Sequence, residues 1–169
     1  MANKFAWASI GENGRATGGK PGDQTGREVV VGNYYHFGQD MVIRYKNKKY
    51  GRKAGKIAKK LANCNSIGYN QTTRTGLYNL AAKNKWDYKK LLKALKKKKV
   101  NCDCSSFATA VINLAYGRNL MPSSTTTATL WDNCKETGKF EKISVKKAEK
   151  KFHKGDMPNQ AHNHVIINV

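Results

Sequence analysis

Along the first third of the chain, apolar positions come in short runs separated by glycines and polar residues, and from about residue 53 they take on a helical period. Phe5 and Trp7, set among the alanines of Ala2 to Ile10, predict a short helix that buries both rings. Gly11 to Gly26 contains Gly18-Gly19 and Pro21-Gly22 and predicts loop. Glu28 to Val31 and Met41 to Tyr45 read as strands on either side of Gly32 to Tyr35. From Lys53 onward, Ile57, Leu61 and Cys64 share one helical face, with Ala54, Ala58 and Ala62 beside it. Thr73 to Lys83 predicts a second helix with Leu77, Leu80 and Ala81 inward. Asp87 is an N-cap for a third, which turns Tyr88, Leu91, Leu92 and Leu95 to the core. Ser105 to Tyr116 is the central apolar helix, stopped by Gly117. Ser123 to Thr127 offers capping residues for a helix through Cys134 that ends near Gly138. Phe140 to Val145 predicts a strand, and Lys154 to Asp156 a tight turn before a final strand at His164. Helices first and strands last, with no repeat and no linker, predict a single α+β domain over residues 1–169. Its central helix should pack on a small antiparallel sheet, with additional N-terminal helices.

Composition adds two constraints. With 169 residues, 39% hydrophobic content and three tryptophans, the chain can bury a core without disulfides. Cys64, Cys102, Cys104 and Cys134 form no dense framework, and Cys102 and Cys104 are too close for an ordinary bridge, so reduced thiols are expected. The N-terminus lacks the continuous apolar core of a signal peptide, and no stretch approaches transmembrane length. A soluble product that stays in the cytosol until something else releases it is therefore expected. The net charge of +21, from 32 Lys and Arg against 11 Asp and Glu, is the second constraint. It implies a positive field that concentrates polyanions, whether nucleic acid or a bacterial wall with its phosphates and carboxylates. Lys96 to Lys99 reads as a solvated helix end suited to the dipole, or as an anchor for such a polyanion. No aromatics interleave with these lysines at base-stacking spacing and no nucleic-acid fingerprint appears, which counts against nucleic acid.

The chemistry centres on Asn101 to Phe107, where a loop becomes the central helix. Cys104 there sits under free backbone N–H groups and the positive end of the helix dipole, a setting that favours the thiolate. His164 opens the last apolar strand. A cysteine on a helix start and an imidazole on a strand form the working pair of thiol hydrolases. Cys104 also has an inert reading as a buried small hydrophobe, and His164 as a strand-end surface histidine. His162, two residues away and on the same strand face by period, is the competing base. His36 and His153 fit no motif. Cys102 reads as structural, because a Cys-x-Cys pair with no second pair lacks zinc-site spacing, and neither a metal nor another cofactor is expected.

Asp103-Cys104-Ser105-Ser106-Phe107, Gly155-Asp156 and His164-Val165-Ile166-Ile167 together resemble the NlpC-type cysteine peptidases. Trp7 to Gly14, Gly18-Gly19, Gly22 to Val29, Ile67 to Gln71 and the spacing of Cys102 from Cys104 are similar to phage-borne peptidoglycan amidohydrolases, so the resemblance covers nearly the whole chain. It implies a compact papain-like fold, hydrolysis of a peptidoglycan amide bond, Cys104 as nucleophile and His164 as general base. That family usually places a polar third residue on the strand after the histidine. Only five residues follow His164 here, and Asn168, four residues along, lies roughly 13 Å away. Asp23 or Gln24 in the Gly22 to Gly26 loop could orient the base or donate to an oxyanion, or the loop is only a turn held by Asp23.

The expected protein is thus a phage-type lysin, monomeric, with peptidoglycan and anionic wall polymers as partners and no membrane. It would reside in the host cytoplasm before its release to the cell wall, or be associated with the virion. The rival readings are a basic nucleic-acid-binding or virion structural protein with an inert thiol, and a papain-like transferase or deamidating effector.

Overall fold

The protein is described by a computed structural model over residues 3–169. It opens with strands β1 (Lys4–Ala8), β2 (Val29–Asn33) and β3 (Met41–Tyr45), then helix α1 (Lys48–Ala62) and strand β4 (Ile67–Tyr69). Helices α2 (Gly76–Lys83) and α3 (Tyr88–Leu95) lead to strand β5 (Val100–Cys102) and the central helix α4 (Cys104–Tyr116). Helix α5 (Leu130–Glu136), strand β6 (Phe140–Ile143) and helix α6 (Val145–Lys150) precede strands β7 (Met157–Gln160), β8 (His164–Val165) and β9 (Ile167–Asn168). The α+β class expected from the sequence holds, and α4 packs on antiparallel sheet through β1 and β8 and on helices α1 and α2.

Two antiparallel sheets frame the core, ordered β2-β1-β9 and β6-β3-β7-β8, and β4 and β5 add a parallel pair. The chain's order therefore differs from helices first and strands last: three strands precede the first helix. The helix expected over Ala2 to Ile10 is strand β1, and Ala2 itself lies outside the described residues. β1 is the central strand of its sheet, paired on one side with β2 and on the other with β9, with Phe5, Ala6 and Ala8 fully buried. Two hydrogen-bonded neighbours outweigh the modest helix propensity of its alanines. Val145, expected as strand, instead starts α6 after Ser144.

The helices follow their apolar periods closely. Asn47 caps α1 by accepting from the Lys49 N–H, so the helix starts at Lys48, five residues before the expected Lys53. Asp87 caps α3 by accepting from the Lys90 N–H, and Gly117 ends α4 in the left-handed conformation at φ 67°.

The C-terminal strand departs most from expectation. β8 pairs with β7, whereas β9 pairs with β1, so the chain changes sheets at Ile166. Asn168 accordingly belongs to a different sheet from His164. His162 is not on the strand at all. It lies in the turn between β7 and β8 with φ 61°, a backbone region more open to His than to most side chains.

Candidate active site

Cys104 is the first residue of α4, and its position depends on how that helix begins. Asp103 is the N-cap: its carboxylate accepts from the Ser106 N–H at 2.7 Å, and Ser106 Oγ accepts from the Asp103 N–H at 2.9 Å. This reciprocal pair satisfies two of the helix's free donors and fixes the direction in which Cys104 leaves the loop. Arg74 locks the cap from outside. Its Nε donates to Asp103 Oδ2 at 2.6 Å, and its Nη2 to Ser105 Oγ and the Thr125 carbonyl. Arg74 thus ties α4 to the segment before α5, and the sequence reading overlooked it because a lone arginine carries no spacing signal. The local signal of this capping box is the Asp103-x-x-Ser106 spacing, which the sequence reading did not use.

The thiol faces the C-terminal strand. Cys104 Sγ lies 3.8 Å from the Asn163 carbonyl oxygen, and the Val165 N–H points at the sulfur. Cys104 therefore meets the backbone on both sides of His164; among the described residues no hydrogen bond joins the thiol to an imidazole, and the cleft beside it is lined by His162 and not by His164. His164 is partly buried, with its ring edge-on to Phe37 at 5.3 Å, and Phe37 in turn packs on Tyr35. Gln160 is the cross-strand partner of His164, and its side-chain oxygen accepts from Asn163 Nδ2. Beside the thiol opens a cleft of about 400 Å³ whose walls include Gln71, Arg74, Thr127 and His162.

Burial governs the protonation of the pair. It pushes the Cys104 thiol up to about 11, with the Asp103 carboxylate adding to the shift; the N–H groups of Val165, Ser105 and Cys104 pull the other way and lose. Burial also pushes His164 down to about 4. The helix-start setting does supply donors to the sulfur, as expected, but desolvation outweighs them. Both shifts favour the neutral thiol and the neutral imidazole at neutral pH, against the thiolate that the helix-start setting was expected to favour.

The other sequence candidates have separate places. Asp23 accepts from the Thr25 and Gly26 N–H groups and so closes its own turn. Gln24 donates to the Pro21 and Gly22 carbonyls. Among the described residues neither makes a hydrogen bond to Cys104 or His164. Their loop is tied to the site through Glu28, which is buried and accepts from the Gln24 and Tyr69 N–H groups at 2.8 and 2.9 Å. Tyr69 ends β4, the partner of β5, which leads into Cys104. Two motifs far apart in sequence, the Gly11 to Gly26 loop and Ile67 to Gln71, thus pack together: a Cβ on Gly68 would lie 2.3 Å from the Gly22 carbonyl oxygen. Cys102 is fully buried and donates to the Gly68 carbonyl, away from the cleft. His36 Nδ1 accepts from the Gly38 N–H at the exposed surface.

Asp156 of the Gly-Asp motif forms a buried two-pronged ion pair with Arg44 of β3, at 2.6 and 2.9 Å. An arginine inside the apolar run of Met41 to Tyr45 was the readable sign of such a pair. The pair fixes the start of β7, and β7 carries β8 and His164. Among the described residues no group of three or more His, Cys, Asp or Glu is placed to hold a metal ion, and no helix is long and apolar enough to cross a membrane.

A family model described as an endolysin-like domain matches residues 5–169. No curated protein and no solved structure matches the chain significantly.

Proposed function

The chain belongs to the endolysin-like domain family, and on that footing we propose that it hydrolyses an amide bond of bacterial peptidoglycan, with Cys104 as nucleophile and His164 as general base. The observation that carries this reading is the contact of the Cys104 thiol with the backbone flanking His164, at the mouth of an open cleft. The NlpC-type, papain-like assignment belongs to the same reading. It is supported by the cysteine at the start of the central helix and the histidine on a neighbouring antiparallel strand.

A neutral pair works by general-base catalysis at the moment of attack. His164 takes the thiol proton as sulfur bonds to the carbonyl carbon, and passes it to the amine as the C–N bond breaks. Water, deprotonated by the same imidazole, then hydrolyses the thioester and returns the thiol. The Cys104 and Ser105 N–H groups at the start of α4, which point at the sulfur, are the donors that would stabilise an oxyanion beside it. The aromatic contact from Phe37 restrains the imidazole, and among the described residues no side chain hydrogen-bonds it.

Release of soluble fragments from purified walls, with product masses to identify the bond cut, tests the reading. Cys104→Ala should abolish release while the protein still folds and binds walls, and Cys102→Ala should keep most of it. His164→Ala should lower the rate by roughly 100-fold or more, and His162→Ala far less. Active Cys104→Ala protein would overturn the assignment.

A further inference from the structure

Helix α1 reads KKYGRKAGKIAKKLA, with seven cationic residues and no acid. Two cavities run along its surface and share Arg52 and Lys154. The first, of about 250 Å³, is walled by Arg44, Lys48, Arg52, Lys151 and Lys154. The second, of about 340 Å³, continues past Lys56 and Lys59 to Val169. The one acidic side chain in either wall is Asp156, already paired with Arg44. Lys154 Nζ is paired with a main-chain oxygen of Val169, the last residue of the chain, and the remaining ammonium groups and the Arg52 guanidinium are at the surface.

The groove is held rigidly. Gly51 and Gly55 let α1 close on the Lys154-Gly155 turn: a Cβ on Gly51 would sit 2.6 Å from the Lys154 carbonyl oxygen, and one on Gly55 2.9 Å from that of Asn168. Lys48, Arg52 and Lys56 follow at four-residue intervals, so they line up along the helix at about 6 Å per step. The positive field registers on His153 in the first cavity. Burial, then Arg44, and also Lys48 and Lys151 push its imidazole below the ordinary value, against Asp156. The groove lies at the Asp156 end of β7, and the Cys104 cleft lies at the Gln160 end, roughly 13 Å along the strand.

We propose that this groove is a second binding site, separate from the cleft, for a linear phosphodiester polymer of the bacterial wall. Regular single charges along a chain match the line of cations on α1, and the Arg52 fork suits phosphate oxygens. The groove offers no stacking platform for bases: Tyr45 is its one phenol ring and is buried. The hydrolase reading bears on the source of the polymer, not on the groove itself.

Co-sedimentation with purified walls, before and after hydrofluoric acid removes phosphodiester polymers but leaves peptide carboxylates, tests the site. The Lys48→Gln, Arg52→Gln, Lys56→Gln triple variant should bind intact walls roughly tenfold or more weakly. Its salt dependence should flatten by about 2 in log–log slope. Stripped walls should bind wild type and variant alike, and weakly. A Lys96→Gln, Lys97→Gln, Lys98→Gln variant removes the same charge elsewhere and should bind nearly as wild type does. Equal loss in both triples would show diffuse attraction by net charge, and undiminished binding to stripped walls would show carboxylate recognition. Tighter, groove-dependent binding to single-stranded DNA than to walls would assign the groove to nucleic acid. Each of these outcomes overturns the proposal. Release of soluble fragments is scored on the same samples, so a protein that binds through the groove but cuts nothing would refute the hydrolase reading alone.

Discussion

At the scale of single residues, the site turns on a contest between desolvation and backbone donors at one sulfur. Three N–H groups point at Cys104 Sγ, yet burial and the neighbouring Asp103 hold the thiol protonated up to about 11. His164, pushed down to about 4 by burial, stays neutral through the whole neutral range. The acid limb of wall hydrolysis should therefore fall near pH 4 and not near the ordinary imidazole value of about 6.5. The Cys104 alkylation rate, read on the Cys104 peptide after iodoacetamide because the more exposed Cys64 also reacts, should keep climbing beyond pH 9; a plateau below pH 8 would mean a standing thiolate. Stability follows the same shifts. Unfolding lets His164 take up a proton at about pH 6.5, whereas the folded group resists until about 4, so its stabilising effect is present above that window and is lost as pH falls through it. Cys104 has the opposite sense: its contribution is present below the ordinary thiol value and is lost as pH rises toward about 11. Thermal melts should show both losses, and Cys104→Ala should lessen the second, to which the buried Cys102 and Cys134 thiols, also pushed up, contribute as well.

Among the elements, β7 is the lever that places His164, and its anchor is the Arg44–Asp156 pair, with side chains 11% and 1% exposed. Removing one partner strands the other charge in the core, so Asp156→Ala should cost about 3–5 kcal/mol in denaturant unfolding. A loss below about 1 kcal/mol would mean that water reaches the arginine. Gly51→Ala tests the opposing surface of α1. Helix propensity alone predicts a gain of roughly 0.5–1 kcal/mol from losing a mid-helix glycine. A Cβ 2.6 Å from the Lys154 carbonyl oxygen forces α1 and the turn apart, so the variant should be destabilised instead. These contacts also mark the limits of legibility in the sequence. The caps at Asp87 and Gly117, the inward faces of α2 and α3 and the placing of Cys104 and His164 were readable because each depends on local spacing. The strand identity of Lys4–Ala8 was not, since it comes from β2 and β9, the latter at the far end of the chain. Nor was the change of sheet at Ile166: an unbroken apolar run gives no sign that its two halves pair with different partners. Arg74 and Glu28 were missed for the same reason, their partners being 29 and 41 residues away.

Over the whole molecule, charge acts on folding and on binding with opposite signs. Against a net charge of +21 the described residues hold two salt bridges, Arg44–Asp156 and Arg74–Asp103, and both are partly or fully buried. Salt screens such sheltered pairs weakly, so little attraction is lost when ions are added. The exposed cations on α1, at Lys96 to Lys99 and along α6 repel one another across open solvent, and that repulsion is what salt removes. Raising ionic strength from about 0.01 to 0.15 M shortens the screening length from about 30 to 8 Å, less than the span of the cationic surface. Tm should therefore rise by several degrees over that range, while binding to intact walls weakens steeply. The Lys48→Gln, Arg52→Gln, Lys56→Gln protein should melt higher than wild type at low salt and gain less from added salt, because three of the repelling charges are gone. A Tm that falls with salt in the wild type would mean that attractive pairs dominate the surface, and the cations of α1 would then belong to the fold's stability instead of to a partner.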